Sequence, residues 1–315
     1  MIHASKASVA IIILTMNQRD KTMQCLSSLY AARQELSFHV VLWDNGSQDD
    51  TITAVQEAFP DMLSHYHPSN LGVASGRNAA AELAIKTFDP THLLFLDNDM
   101  LVEPNFVGAL LHPFLHDDTV GQTQAKLRFM HDRARLNDGG GAQISFVRWQ
   151  VTPVGYGEVD RGQYDNMVPC IACGGAMMVR TDVFQQLGGF DPTFGPFGPE
   201  DLDFSLRLSK AGYRALYVPQ AMAYHEVSHT FGGEYGEDYA RHKSRHWWVF
   251  MRRHASLGEQ IAFVLLGAPS LMVGLLIREG RRGNLAALRG ILRGLIDSWT
   301  LKAASKGAER SPKIP

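Results

Sequence analysis

The sequence has 315 residues, 45% of them hydrophobic, and three cysteines. It can bury one large core or two smaller ones, and it lacks the cysteines of a disulfide-framed secreted module. The formal net charge of -2 hides an asymmetry, +10 over residues 241–315 against -12 over residues 1–240, which argues for a C-terminal region that meets an anionic surface; no nucleic-acid partner is expected.

Nothing at the start of the chain has a signal-peptide pattern, so a reducing, cytoplasmic setting is expected. Cys170-Ile-Ala-Cys173 has metal-like spacing. No matching Cys or His pair completes a four-ligand zinc site, so the pair reads as structural.

Val9–Leu14 is a continuous β-branched run and predicts a first buried strand. It ends in Thr15-Met-Asn-Gln-Arg-Asp20, without the glycines of a dinucleotide fingerprint or a P-loop. Asp20 starts a helix to about Ala32. A second strand, Phe38–Trp43, runs into Asp44-Asn-Gly-Ser47, a tight turn, and Asp49 or Asp50 caps a helix to about Phe59. Ser69–Asn78 opens an alanine-rich helix over 79–86. His92–Leu96 is an apolar strand that stops at Asp97-Asn-Asp99. In an open α/β sheet, ligands bind beyond the carboxyl ends of such strands, and carboxylates at i and i+2 can serve one site. This alternation predicts a mostly parallel sheet flanked by helices.

Beyond a helix over 104–115 the pattern loosens, with strand-like pieces at 120–127 and 143–151. It sharpens at Gly174-Gly175, which feeds a strand to Arg180. A Gly/Pro-rich loop from Phe190 delivers Glu200-Asp201 to a helix N-terminus. That helix stops at Gly212, and strands at 213–219 and 221–225 end on His225.

These pieces, in this order over residues 8–230, resemble an inverting glycosyltransferase of family 2 with the GT-A fold. The matching segments are Thr15–Asp20, Asp44–Ser47, Asn70-Leu-Gly72, Gly76-Arg-Asn78, Asp97–Asp99, Gly174-Gly175, Gly188-Gly-Phe-Asp191, Glu200–Asp203 and His225. The Asn-Leu-Gly and Gly-Gly-Phe-Asp spellings resemble the branch of rhamnosyl- and galactofuranosyltransferases. The first segment departs from the common spelling, with Met16 where an aromatic is frequent.

The resemblance implies a nucleotide-sugar site formed by Thr15, Asn17, Asp44, Asn45, Gly72, Arg77, Asn78, Asp97, Asn98, Gly174 and Gly175. Asp44 would accept from a base imino group, and Arg77 would reach the base or the phosphates. Asp97 would serve the ribose or a water on the metal. Asp99 would hold Mn2+ or Mg2+, and His225 would complete that shell or contact phosphate. Asp201 would be the catalytic base, with Glu200 and Asp203 competing for the role. The implied donor is a UDP- or dTDP-sugar, and the acceptor a lipid-linked or polysaccharide glycan. A sugar-phosphate nucleotidyltransferase and a non-catalytic glycan-binding homologue are the alternatives; the first would want a glycine-rich, lysine-bearing loop that is absent after Leu14.

The expected organisation is a catalytic domain over 1–240 and a basic, helical C-terminal region over 241–315. Ile261–Ile277 is uncharged but interrupted by Gly267, Pro269 and Gly274, at the lower limit for a membrane span. Residues 284–299 place Leu285, Leu288, Ile291, Leu292, Leu295, Ile296 and Trp299 on one helical face edged by Arg289 and Arg293. That pattern suits a helix lying on an anionic leaflet, giving peripheral or monotopic attachment to the inner membrane face. Packing on the catalytic domain, or a homo-oligomer contact, is the alternative.

Overall fold

The computed structural model describes residues 7–32, 37–196, 198–226, 236–281 and 285–300. These residues form two compact units. One holds the described residues through Ser145 and those from Gln150 to residue 226. The other holds residues 146–149 and those from 236 onward.

The first unit runs β1 (Val9–Thr15), α1 (Arg19–Ala31), β2 (Phe38–Asp44), α2 (Thr51–Ala58), β3 (Leu63–Tyr66), α3 (Val73–Phe88), β4 (His92–Asp97), β5 (Met100–Val102) and α4 (Phe106–Leu111). It continues with β6 (Val120–Phe129), β7 (Leu136–Asp138), β8 (Ala142–Ser145), β9 (Gln150–Pro153), β10 (Val168–Pro169), β11 (Ala176–Arg180), α5 (Thr181–Gln186), α6 (Glu200–Lys210) and β12 (Arg214–His225). The main sheet is ordered β10-β12-β6-β11-β4-β1-β2-β3, and β8 pairs with β9 as a separate hairpin. Strands β4, β1, β2 and β3 are parallel, whereas β11 runs antiparallel between β4 and β6.

Alternate residues of β1 serve opposite layers. Ile11 and Ile13 pack with Leu26 and Leu29 of α1, while Ala10 and Ile12 face Ala80, Ala81 and Ala84 of α3. Each such isoleucine contributes about 1.5–3 kcal/mol by leaving water. The alanine face of α3 lets that helix lie close to the sheet. Helix α3 starts six residues earlier than the alanine run suggests, because Gly72 supplies the turn before it. Gly72 has φ +78° and lies so near the chain that an added Cβ would meet Pro196 Cα at 2.9 Å.

The two strand pieces at the end of the unit are one strand, β12, with an irregularity between Val218 and Met222. Pro219 sits in that interruption, where its missing N–H breaks no ladder bond. Strands β3, β5 and β10 carry no clear two-residue alternation, which is why the sequence does not announce them.

Parallel registers set Thr15 beside Asp44 and Leu14 beside Asp97. The carboxyl ends of β1, β2 and β4 therefore open on one edge of the sheet.

The second unit contains α7 (Glu237–His254), α8 (Leu257–Ala262), α9 (Ala268–Arg281) and α10 (Leu285–Thr300). Ser256 and Glu259 form a capping box at the start of α8. A π turn over Phe263–Gly267 joins α8 to α9 just before Pro269. Proline cannot donate to the preceding turn, and the wider turn makes room for its ring. Ser270 Oγ donates to the Gly267 carbonyl at 2.8 Å.

Helix α10 lies against α7, where Ala287 and Ile291 are buried with Ala240, and Leu288 and Leu295 pack alongside. Gly290 and Gly294 bring α10 to the α7 backbone at Glu237 and Arg241. Ile291, Leu288 and Leu295, part of the apolar face that reads as a membrane contact in α10, thus meet an intramolecular surface. Leu292 and Ile296 of that face stay exposed, and further exposed apolar residues lie on α8 and α9 and their junction. Leu265 and Leu266 are 67% and 68% exposed, and Leu257, Ile261, Val264, Val273 and Ile277 are exposed as well. Leu257–Glu279 is long and apolar enough to cross a membrane by length and composition.

Candidate active site

The end of β4 positions Asp97, and the turn into β5 positions Asp99. His225 arrives on β12, which pairs antiparallel with β5 so that His225 stands opposite Met100. One ligand atom each from Asp97, Asp99 and His225 lies within 4.8 Å of the others. His225 Nδ1 lies 2.9 Å from Asn137 Oδ1 and Nε2 lies 3.4 Å from Asp99 Oδ1. A proton on Nδ1 donated to Asn137 leaves the Nε2 lone pair facing the carboxylates. Burial works against charge on this ring, but the bond to Asp99 and the charges of Asp99 and Asp97 outweigh it and raise its pKa.

Two carboxylates and one imidazole, the imidazole fixed from behind by Asn137, form a donor set that fits a hard divalent cation. Imidazole is an acceptable ligand for such ions, and the oxygens are the preferred ones.

Arg77, in the first turns of α3, is buried. Its Nη2 donates to Asp97 Oδ1 at 2.5 Å and its Nη1 to Glu200 Oε1 at 3.3 Å. The Phe190 ring lies 5.8 Å away. Desolvation lowers the guanidinium pKa, yet Asp97, Glu200 and Asp201 raise it beyond its ordinary value.

Glu200 and Asp201 open α6. Burial and the Asp201 charge push Glu200 up to about 8, against the pull of Arg77. Burial also raises Asp201, opposed by Arg77 and by the Leu202 and Gly174 N–H groups. Gly174 and Gly175 both have positive φ, +55° and +64°, and bend the chain so that Gly174 N–H faces Asp201. Asp203 is fully buried and holds Arg207 at 2.7 Å. Arg207 in turn donates to the Leu187 and Gly189 carbonyls, so Asp203 fastens the 187–189 turn.

The second edge of the site is the end of β2. Asp44 is buried; Oδ1 accepts from Ser47 N–H at 2.7 Å, and Oδ2 has no partner among the described residues. Such a carboxylate oxygen is a ready acceptor for a ligand N–H.

Several other residues that the sequence assigns to the donor hold loops in the structure. Asn45 bridges Asn70 and Leu71, and Asn17 links Ser47 and Gln48. Asn78 bonds both the N–H and the carbonyl of Phe190. Asn98 turns its amide to Thr15, Gln18 and Thr22. Together they clamp the strand-end loops around Asp44 and Asp97, and Met16 lies exposed beside them. Asn137 was not legible in advance, because it lies in the irregular stretch before residue 138 and only its pairing with His225 marks it.

Cys170 and Cys173 form no disulfide, and burial raises both thiols above their ordinary pKa. Cys173 donates to Asp138 at 3.1 Å. A thiol held protonated in this way is a poor nucleophile.

Comparison with known proteins assigns the family and the fold. The family described as "Glycosyltransferase like family 2" matches residues 6–253. The N-acetylglucosaminyl-diphospho-decaprenol L-rhamnosyltransferase of Mycobacterium tuberculosis is 25% identical over 294 residues, which cover 86% of this chain and 94% of that protein. The O-antigen biosynthesis protein RfbC of Myxococcus xanthus is 28% identical over 237 residues, 70% of this chain and 17% of RfbC. Among solved structures, GalNAc-T7 with UDP, GalNAc and Mn2+ superposes with a TM-score of 0.62 at 15% identity, over 79% of this chain and 48% of that one. This chain therefore spans about half of GalNAc-T7. The Pyrobaculum calidifontis mannosyltransferase PcManGT, in complex with GDP-Man and Mn2+, has a TM-score of 0.55 at 17% identity, covering 93% and 88% of the two chains. At such identities the likeness establishes the fold, which is of the GT-A glycosyltransferase type.

Proposed function

Since this chain belongs to the glycosyltransferase-like family 2 and is a nucleotide-sugar glycosyltransferase, we propose that it transfers its sugar with inversion and with the help of a divalent ion. The proposed donor is a UDP- or dTDP-sugar, and the proposed acceptor is a lipid-linked or polysaccharide glycan. The observation that carries this reading is the convergence of Asp97, Asp99 and His225 within 4.8 Å at the carboxyl end of β4.

Asp99 and His225 would hold the ion, Mn2+ or Mg2+. When bound, it supplies positive charge against the diphosphate leaving group. Asp97 serves the ribose or a water in the shell. Asp44 Oδ2 accepts from the imino group of uracil or thymine.

Asp201 takes the proton of the acceptor hydroxyl as that oxygen attacks the anomeric carbon. The bond to the diphosphate breaks in the same displacement, which inverts the centre without a covalent enzyme intermediate. A raised pKa makes Asp201 a stronger base than an exposed aspartate, and the Gly174 and Leu202 N–H groups orient it. Glu200 is less suited, because Oε1 is engaged by Arg77 and Oε2 is buried.

The acceptor reading draws support from the mycobacterial rhamnosyltransferase, whose name specifies a diphospho-decaprenol acceptor. The exposed apolar residues of α8 and α9, with Arg252, Arg253, Arg278 and Arg281 nearby in sequence, support attachment to the inner, anionic membrane face.

A thermal-shift panel of UDP-glucose, UDP-N-acetylglucosamine, dTDP-rhamnose and GDP-mannose, each with and without Mn2+, tests the donor assignment. A ligand at about 100 times its dissociation constant adds about 2.7 kcal/mol of apparent stability. A shift with GDP-mannose alone would overturn the reading of Asp44, and shifts indifferent to Mn2+ would overturn the ion site. Flotation with anionic liposomes tests attachment. Full-length protein should float and a Leu265→Glu/Leu266→Glu variant should not; equal behaviour would assign these residues to protein packing.

A further inference from the structure

Asp201 sits in the first turn of α6, yet that turn has no conventional cap. Pro199 occupies the N-cap position, and no side chain among the described residues caps the helix there. Within that turn the Leu202 N–H donates to Asp201 Oδ1 at 2.7 Å and the Asp203 N–H to the Pro199 carbonyl at 2.9 Å, bonds that stay inside the turn and do not tie it to the sheet. Glu200, the first residue of α6, is fastened from outside instead. Its Oε1 accepts from Arg77 Nη1, and the same guanidinium bonds Asp97 through Nη2. Asp97 ends β4, which is hydrogen-bonded on both sides by β1 and β11, so that end of the chain of contacts is rigid.

We propose that Glu200 is a positioning residue for Asp201, and that Arg77 couples it to Asp97, so that nucleotide binding at Asp97 orders the turn carrying the base. This rests on the assignment of Asp97 to the donor and of Asp201 as base. The physical reason is competition for one guanidinium. Arg77 is shared between Asp97 and Glu200, and a ribose hydroxyl or a cation engaging Asp97 weakens its hold on Arg77. The guanidinium then binds Glu200 more tightly, and the first turn of α6 firms. The coupling is reciprocal, as any linkage between two binding equilibria must be. Glu200 needs only an acceptor oxygen for this role. Its tendency to stay protonated is consistent with that, and a glutamine should substitute.

Hydrogen exchange of the peptide over residues 198–206 tests the coupling, with UDP, dTDP or GDP plus Mn2+ as probes and the acceptor left out. In the wild-type chain the nucleotide that binds should slow exchange in this peptide roughly tenfold. Arg77→Lys and Glu200→Ala should lose the protection, Glu200→Ala while binding that nucleotide within about threefold of wild type, and Glu200→Gln should retain it. Donor hydrolysis by Arg77→Lys and Glu200→Ala should fall by about 30-fold in kcat with little change in KM.

Equal protection in all four proteins would overturn the coupling. So would a loss of nucleotide affinity of about tenfold or more in Arg77→Lys, which would make Arg77 a donor ligand. A Glu200→Gln protein as inactive as Asp201→Asn would make Glu200 itself a proton acceptor. Should Arg77→Lys fail to fold, the Glu200→Ala and Glu200→Gln pair carries the same comparison. Absence of binding by all three nucleotides to the wild-type protein would instead remove the donor reading underneath.

Discussion

His225 Nε2 faces Asp99 Oδ1 at 3.4 Å, although the two residues are far apart in sequence and meet only through the pairing of β12 with β5. Asn137 fixes the ring from the other side at 2.9 Å. Asp99→Ala should therefore abolish the Mn2+-dependent part of nucleotide binding. Asn137→Ala should weaken Mn2+ affinity by about 10–100-fold while leaving metal-free nucleotide binding unchanged, as loss of an outer-shell partner does. Calorimetric titration of UDP or dTDP with and without Mn2+ measures both. Unaltered affinity in Asp99→Ala would remove the ion from this position.

Asp201→Asn should lower turnover by at least about 100-fold with donor affinity nearly unchanged, the signature of a lost general base. Steady-state kinetics beside nucleotide titration separates the two quantities. Turnover within a few-fold of wild type would move the base to Glu200 or Asp203. Because Asp203 is engaged with Arg207, Asp203→Asn should show mainly as a lower melting temperature.

The raised pKa of Glu200 gives a stability prediction. At low pH the carboxyl is protonated in both the folded and unfolded chains, and its ionisation costs nothing. Between its ordinary value of 4.5 and its folded value of about 8, the unfolded chain ionises first and binds fewer protons, so stability falls as pH rises. Above the folded value the penalty is constant. Glu200→Gln cannot ionise, so its melting temperature relative to wild type should climb from pH 4.5 to pH 8 and then level off. A difference independent of pH would mean that Glu200 is ionised throughout, as a full ion-pair partner of Arg77.

At the other edge of the site, Asp44→Asn should keep the turn, because an amide oxygen can still accept from Ser47 N–H. It places a donor where the base imino group also donates, so affinity for UDP or dTDP should drop by about 1–3 kcal/mol. Isothermal titration at fixed Mn2+ checks this, and unchanged affinity would relocate the base.

In the second unit, Gly294→Leu should separate α10 from α7, since even a Cβ at Gly294 would collide with the Arg241 carbonyl and Ser244. Loss of helical circular dichroism together with intact nucleotide binding is the expected pair of results. An unchanged spectrum would mean that the close crossing of the two helices is not required.

The residues legible in advance share a local signature. Asp44 and Asp97 each end a continuous apolar strand, Asp99 follows two residues after Asp97, and Asp201 follows a Gly/Pro-rich loop at a helix start. Strand β4 and helix α6 could be read because buried strands and amphipathic helices have periods of their own. Strands β5 and β7 could not, being three residues each, and so Asn137 stayed hidden. The polar residues of the strand-end motifs were visible as a group, but a motif does not say which way a side chain turns. Asn98, between two site aspartates, points back into the loop after β1.

The C-terminal region shows the same division. Its basic charge and the apolar spacing of residues 284–299 can be read from the chain, since both are properties of composition and helical period. Which apolar face is covered is a matter of packing. Gly290 and Gly294 let α10 approach α7 backbone to backbone, so Ile291 is buried while Leu292 and Ile296, like Leu265 and Leu266, remain outside. The sequence by itself determined the alternation of strands and helices, the carboxylates at strand ends and the family, because these are written in short-range pattern. Tertiary structure alone decided that Asn137 holds His225 from behind, and that Arg77 joins Asp97 to Glu200. Such contacts depend on strand register and helix placement, which residues distant in sequence fix only jointly.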